Sequence, residues 1–151
     1  MTRRSPAAPD TAARWQTGGI PKPQLCNEYS NNQRPTYTQY TMHCPLFNAR
    51  SLLNKLPELY HVLYGPNVID CLCVTESWLH DGITDGLLDP KLRYNIIRND
   101  RHGAKGGGVC VFVQKKFTVH TVQPRCMPKG VEFVCFDLPE FSVVYRVYVV
   151  Y

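Results

Sequence analysis

The sequence lacks the segments that mark membrane and secreted proteins. No run of about 18 apolar residues occurs in the 151-residue chain, so no membrane-spanning helix is encoded. Arg3 and Arg4 stand near the N-terminus, but prolines and polar residues follow where a secretory signal would be apolar. With 44% hydrophobic residues, the chain is neither a disordered acidic tail nor a fibrous repeat. Its length suits one domain or part of a larger one.

Cysteine pairs at metal-binding spacing are also missing. No C-x-x-C pair occurs, and His43-Cys44 has no partner pair at zinc-finger spacing, which disfavours structural zinc. The seven cysteines are odd in number and scattered through apolar segments, which favours free thiols in a reducing, intracellular compartment over a disulfide framework. We predict that four of them are small core residues: Cys71, Cys73, Cys110 and Cys135. The first two, at alternate positions, should share one face of a strand.

The chain changes character near residue 47. Up to that point only about a third of the residues are apolar, and six prolines and five basic side chains stand among them. From residue 48 onwards about half of the residues are apolar. We therefore predict that residues 1–45 are a largely disordered polar leader, because they cannot bury enough surface to offset the entropy of ordering. Their net positive charge suits either a solvated leader, the usual case, or a loose nucleic-acid arm.

The sequence from residue 48 onwards predicts a helix followed by strands that pack in layers. Before Gly65-Pro66, leucines recur on one helical face: Leu52, Leu56, Leu59 and Leu63. Pro57 suits the first turn of this predicted helix. Strands are predicted for residues 68–75, 94–98, 108–114, 117–122, 131–138 and 143–151. This order indicates α+β layers with hairpins and not a regular βαβ array. The last strand reaches residue 151 without a turn or cap, so we expect a truncated domain.

The glycine-rich segment at residues 103–108 does not match a nucleotide-binding loop. A phosphate-binding loop has glycines that open a helix, whose N-terminal amides hold the phosphate. Here the glycines open the predicted strand at residues 109–113, and the Gly-Lys-Ser/Thr ending is absent. We interpret the segment as a tight turn that feeds a crowded strand, where missing side chains allow close backbone approach.

Two polar residues stand at predicted strand ends. Glu76 directly follows an apolar strand, where open α/β layers place functional groups, and its carboxylate would suit a hard cation such as Mg²⁺. A helix cap or a surface acid explains that position equally well. Asn48 ends a short candidate strand and, taken alone, is an ordinary turn residue. Asp70 lies within a strand and is expected to pair locally.

Four segments in order resemble one family. Residues 48–55 (NARSLLNK), 69–79 (IDCLCVTESWL), 98–101 (RNDR) and 106–109 (GGGV) look like the endonuclease domain of LINE-type, non-LTR retrotransposons. That domain belongs to the endonuclease/exonuclease/phosphatase superfamily, together with apurinic endonucleases and DNase I. The resemblance spans residues 46–151. It implies an α/β fold, here an incomplete four-layer sandwich of the DNase I-like type with two central sheets.

The resemblance also implies a site and partners. Glu76 would be the carboxylate ligand of Mg²⁺ or Mn²⁺, and Asn48 would orient Glu76 or the scissile phosphate and complete the metal's surroundings. Tyr151 coincides with the tyrosine that opens the family's Tyr-Arg-Pro-Pro segment and would position the phosphate. The partner would be DNA. On electrostatic grounds alone we expect weak, salt-sensitive DNA binding through exposed basic side chains: Arg50, Arg101, Lys105, Lys115 and Lys116. In a full element a reverse transcriptase domain would follow, and the protein would be nuclear or cytoplasmic.

The sequence departs from the family in two respects. The family's Gly-Asp-x-Asn and Ser-Asp-His motifs are absent, and the histidines present match neither, so we expect these 151 residues to be inactive in DNA cleavage. Pro45 lies in the strand that should precede Asn48 and weakens it. An alternative is a non-catalytic remnant or co-opted nucleic-acid-binding protein. A phosphoesterase for lipids or small phosphates is disfavoured by the segments at residues 48–51 and 75–79.

Overall fold

A computed structural model describes residues 41–103, 105–124, 130–140 and 143–151. Residues 1–40, which hold most of the predicted leader, lie outside the described residues. In chain order the elements are β1 (Leu46–Asn48), a 3-10 turn (Leu53–Lys55), α1 (Leu56–Tyr64), β2 (Cys71–Thr75), α2 (Asp85–Leu88), β3 (Tyr94–Asn99), β4 (Val109–Gln114), β5 (His120–Thr121), β6 (Phe133–Glu140) and β7 (Val143–Val150).

The strands form two sheets. Sheet A has the order β1-β2-β4-β3, and sheet B has the order β5-β6-β7. Only β1 and β2 run parallel, and the other neighbours are antiparallel. The described residues are therefore mixed α and β with two sheets and few helices, which confirms the predicted class at this level. Within them, no helix has both the length and the apolar character needed to cross a membrane.

Strand β2 lies inside sheet A and is buried along its whole length. Its side chains alternate between two cores. Leu72 and Val74 pack toward α1, while Cys71 and Cys73 pack toward sheet B. The prediction that the two cysteines share one face is confirmed, and Cys110 and Cys135 are buried as predicted.

Two apolar clusters separate three layers. The first lies between α1 and sheet A and includes Leu59, Leu63 and Phe112. The second lies between the sheets and includes Val111 of β4 and Phe136 of β6. Sheet A is thus covered on both faces, which explains why β2 and β4 read as continuous apolar runs and not as alternating ones.

Local chemistry accounts for where α1 and β1 begin. Helix α1 has Pro57 in its first turn, where a missing N–H costs nothing, and Glu58 beside the positive end of the helix dipole. Strand β1 is short and begins after Pro45, which has no N–H to donate, although its carbonyl accepts from Cys73 N at 2.9 Å. The strand predicted at residues 117–122 is reduced to His120–Thr121. The four-residue α2 was not predicted.

Candidate active site at the edge shared by the two sheets

Glu76 stands where β2 leaves sheet A. The strand ends at Thr75, whose carbonyl accepts from Ala49 N at 2.8 Å, and the Glu76 carbonyl accepts from Ser51 N at 3.0 Å. These two bonds bind the segment after β1 to the segment after β2. The acid predicted from its place at a strand end is therefore held by backbone pairing with the segment that follows β1.

The backbone at this edge adopts unfavourable conformations. Of the five non-glycine residues with positive φ among those described, all but one lie in the two segments that follow β1 and β2: Arg50, Ser51, Glu76 and Trp78. A left-handed conformation costs a non-glycine residue on the order of 1–3 kcal/mol, and such residues cluster at active sites and ligand clamps. The strain is therefore an indication of function that does not depend on the family resemblance.

Asn48 lies on the strand beside Glu76. The parallel register pairs Asn48 with Thr75, the residue directly before Glu76. Phe47 packs toward α1, so the alternation along β1 directs Asn48 to the face of sheet A that is turned toward sheet B. The exposed amide of Asn48 and the carboxylate of Glu76 therefore stand at the ends of adjacent strands. Neighbouring strands in a sheet lie about 4.8 Å apart.

The Glu76 carboxylate accepts hydrogen bonds from two aromatic residues. Trp78 Nε1 donates to Oε2, and Tyr151 Oη donates to Oε1. Tyr151 belongs to the other sheet, because it extends the pairing of β6 with β7: Tyr151 N donates to Glu132 O at 2.8 Å, and Glu132 N donates to Tyr151 O at 3.2 Å. Both sheets therefore contribute to the surroundings of one carboxylate.

The glycine-rich segment holds the chain that follows Glu76. Ser77 N donates to Gly108 O at 3.1 Å, and Trp78 N donates to Gly107 O at 2.9 Å. Gly106 passes beside Glu76, since a Cβ added to it would lie 3.8 Å from Glu76 Oε2. This loop thus fixes the backbone that presents the Trp78 donor to the carboxylate.

Close approach explains why glycine is needed there. Gly107 and Gly108 have φ 73° and 85°, a region that residues with a Cβ rarely adopt. A Cβ on Gly108 would lie 2.5 Å from Ser77 Oγ, and a Cβ on Gly107 would overlap Arg101 and Glu132. The predicted crowding at the start of this strand is confirmed at Gly107 and Gly108.

Glu132 is a site residue that the sequence did not reveal. Its carboxylate pairs with Arg101 Nε and accepts from Gly108 N at 2.5 Å, which ties the glycine-rich loop to sheet B. The hydrogen bond that Arg101 donates to Glu132, together with the negative charge of that carboxylate, raises the pKa of Arg101. The guanidinium lies 6.0 Å from the centre of the Tyr151 ring. The available signal was a single acid at the start of an apolar strand, which is too common to be specific.

The predicted DNA-binding cations fall into two groups. Arg50 and Lys105 are exposed in the segments that border Glu76, and Arg101 is held by Glu132 beside Tyr151. Lys115 and Lys116 follow β4 at its other end, which pairs with the start of β2 and not with its carboxyl end. The structure therefore separates these two lysines from the candidate site.

Searches against protein-family models, curated proteins and solved structures find no match. The chemistry of this edge has to be inferred from its geometry and from the four segments of the sequence.

The donor set suits part of a Mg²⁺ site. The described residues contain no group of three or more His, Cys, Asp or Glu side chains that could hold a metal. A carboxylate oxygen accepts in about two directions, so each Glu76 oxygen retains capacity beyond its aromatic donor. Mg²⁺ commonly uses one or two carboxylates and keeps several waters. At this edge the described residues supply one such carboxylate, Glu76, and the amide of Asn48 stands at the end of the neighbouring strand.

Proposed function

We propose that residues 46–151 are the N-terminal part of a Mg²⁺-dependent DNA endonuclease domain of a LINE-type retroelement, with a DNase I-like four-layer sandwich. The domain would nick target DNA so that the cut strand primes reverse transcription. In a full element it would act together with a reverse transcriptase domain that follows it in the chain.

The observation that carries the proposal is the contact between Tyr151 and Glu76. These residues are 75 positions apart and come from different sheets, yet Tyr151 Oη donates to a Glu76 oxygen. The resemblance assigned both residues to one site from short sequence segments alone. Asn48, the third assigned residue, is paired with the residue before Glu76. Their convergence at one strained edge supports the proposed chemistry.

Each residue has a role that follows from its chemistry. Glu76 would hold the divalent cation with the Asn48 amide oxygen, and the cation would offset negative charge that develops on the phosphate. Tyr151 would donate its hydroxyl hydrogen bond to a phosphate oxygen once DNA is bound. Trp78 Nε1 keeps the Glu76 carboxylate in a fixed orientation, which reduces the entropy lost when ligands assemble around it.

The DNA would approach from the edge where the two sheets meet. Arg50 and Lys105 are exposed beside Glu76 and would contact backbone phosphates, which gives affinity without sequence preference. Arg101 remains bound to Glu132 and presents its outer face beside Tyr151. The chain contains neither a Gly-Asp-x-Asn nor a Ser-Asp-His motif, so we expect it to bind metal and DNA without an efficient base for hydrolysis.

The metal site can be tested with Trp78 as a reporter. The chain has two tryptophans, so Trp15→Phe leaves Trp78, which contacts Glu76, as the only indole. In that background, Mn²⁺ should quench the Trp78 emission saturably, and Mg²⁺ should compete. Glu76→Gln should abolish the saturable quenching, because a neutral amide is a poor ligand for a hard cation.

A matched variant controls for general charge effects. Glu58→Gln removes one exposed carboxylate from α1 and should leave the Mn²⁺ titration unchanged. Quenching that is equal in Glu76→Gln, Glu58→Gln and the parent would contradict the metal site. If Mg²⁺ also fails to strengthen duplex DNA binding, the observations would favour the alternative, a non-catalytic nucleic-acid-binding protein.

A further inference from the structure

The end of sheet A opposite Glu76 has a different character. Strand β4 runs antiparallel to β2, so Val109 lies beside Thr75 at the active-site end and Val113 lies beside Cys71 at the other end. Those two β4 positions are four residues apart, which separates the ends by roughly 13 Å at about 3.3 Å per residue. The far end carries the residues that follow β4 and precede β3.

Exposed cations collect at that far end. Lys115 N donates to Arg93 O at 2.9 Å, which places these two residues side by side, and Lys91 precedes Arg93 by two positions. All three side chains are exposed, and among the described residues none forms a salt bridge. Two tyrosines of α1, Tyr60 and Tyr64, belong to the same surface. We call the surface formed by Tyr60, Tyr64, Lys91, Arg93 and Lys115 the basic end.

Two acids of this region are turned inward. Asp89 is buried and accepts from the Tyr64 hydroxyl and from Tyr94 N. Asp70 directly precedes β2, is buried, and pairs with Lys116 from the residues that follow β4. Neither of these carboxylates is exposed beside Lys91, Arg93 and Lys115, whereas Glu58 of α1 is exposed half a turn before Tyr60.

Two tyrosines give the basic end a preformed aromatic wall. The rings of Tyr60 and Tyr64 stack with centres 6.1 Å apart and planes 26° apart. Tyr60 Oη donates to Leu87 O, and Tyr64 Oη donates to Asp89 Oδ1, so both rings are held in place. Lys91 Nζ lies 4.4 Å from the centre of the Tyr64 ring.

A concavity lies against this wall. It has a volume of about 410 Å³ and is lined by Tyr60, His61, Tyr64, Gly65, Pro90 and Lys91. It is shallow and open to solvent, which suits a ligand that lies flat against the tyrosines. Flat apolar walls with cations at the rim match a base and its phosphate better than they match an acidic peptide, which offers no flat ring to stack.

We propose that the basic end binds single-stranded nucleic acid, with a base against the tyrosine pair and backbone phosphates at Lys91, Arg93 and Lys115. A duplex keeps its bases stacked within the helix and cannot offer a free base face to the tyrosines. This surface lies at the opposite end of sheet A from Glu76. The chain could therefore hold a single strand at one end while the other end engages a duplex.

The test compares two pairs of charge reversals. Lys91→Glu with Arg93→Glu changes the basic end, and Arg50→Glu with Lys105→Glu changes the active-site edge by the same net charge. Binding of a fluorescent oligo-dT of about 16 nucleotides to the full chain is measured by anisotropy over a range of salt. The basic-end pair should weaken binding at least about tenfold and reduce the salt slope by about 1.4, or about 0.7 for each lost phosphate contact.

A second pair of variants tests stacking without a change of charge. Tyr60→Phe retains the ring and should bind oligo-dT like the parent, whereas Tyr60→Leu should bind about tenfold or more weakly. Thermal melts of each variant confirm that the domain is folded. Affinity for a hairpin duplex and the Mn²⁺ response of Trp78 should not change in the Lys91/Arg93 variant, which separates this proposal from the endonuclease proposal.

Three results would each overturn the inference. Equal loss of oligo-dT binding in both charge-reversal pairs would mean that positive charge alone attracts the strand. Equal loss of single-strand and duplex binding in the Lys91/Arg93 variant would mean that no base is recognised. Unchanged binding in a folded Tyr60→Leu variant would remove the aromatic wall from the site.

Discussion

Replacement of Gly108 by alanine should destabilise the domain through a clash that can be relieved at a second position. Gly108 has φ 85°, and a Cβ there would lie 2.5 Å from Ser77 Oγ. Ser77 is fully buried, and its hydroxyl has no hydrogen-bond partner among the described residues. The new methyl group and the hydroxyl cannot both occupy this space.

The expected loss has two parts. A left-handed backbone costs a residue with a Cβ roughly 1–2 kcal/mol. Forcing an extra methyl group into a packed site costs about 1–3 kcal/mol more. Gly108→Ala should therefore lower the free energy of unfolding by about 2–5 kcal/mol. Gly103 is a matched control, since it has φ 75° but nothing within 4 Å of an added Cβ, so Gly103→Ala should cost only about 1–2 kcal/mol.

A double-mutant cycle isolates the clash. Ser77→Ala removes a buried hydroxyl without a partner, so by itself it should change stability by no more than about 1 kcal/mol. Combined with Gly108→Ala it should reduce the loss to that of Gly103→Ala, which gives an interaction energy of about 1–3 kcal/mol. Urea unfolding followed by circular dichroism measures all four proteins. Trp78 emission in the Trp15→Phe background reports whether the backbone beside Glu76 has moved.

Two outcomes would refute this reasoning. If Gly108→Ala and Gly103→Ala lose the same stability, the cost is backbone strain alone and the loop does not crowd Ser77. If Ser77→Ala fails to restore stability to the Gly108→Ala variant, the added methyl group meets some other atom.

Three further predictions concern activity, pH and solubility. The 151-residue chain should not nick a plasmid with Mg²⁺ at a useful rate, because loss of a general base alone costs about 10²–10⁴-fold; nicking that disappears in Glu76→Ala would contradict this. Arg146 lowers the pKa of Asp137 through two hydrogen bonds, so this carboxylate stabilises the fold fully above its ordinary pKa near 4 and less as pH falls through the lower, folded value. Asp137→Asn should therefore flatten the decline of melting temperature below about pH 5, and an equally steep decline would count against the pairing. Val144 and Tyr148 are 61% and 55% exposed on β7. Replacing both by lysine should therefore raise solubility in a sedimentation assay without lowering the melting temperature. Unchanged solubility would show that this surface does not drive association.

The sequence alone determined the features that depend on local pattern. The leucine period and Pro57 located α1, and the apolar run before Glu76 located β2, because burial on one or both faces has a characteristic spacing. The interpretation of residues 103–108 as a crowded turn also follows locally, since several adjacent glycines before a strand imply missing side chains at close contacts. Glu76 was singled out for the same kind of reason, as a charge directly after a buried strand.

Tertiary structure decided which of these pieces meet. The order β1-β2-β4-β3 places β4, and not β3, beside β2, and no local signal specifies that pairing. Glu132 joins the site only because β6 brings it to Arg101 and Gly108, 31 and 24 residues away in the chain. Tyr151 reaches Glu76 across 75 residues because two sheets pack face to face and end at a common edge. A sequence pattern records how each segment is buried, whereas the contacts between distant segments arise from the packing of whole sheets, so the site and the basic end became visible only in the folded chain.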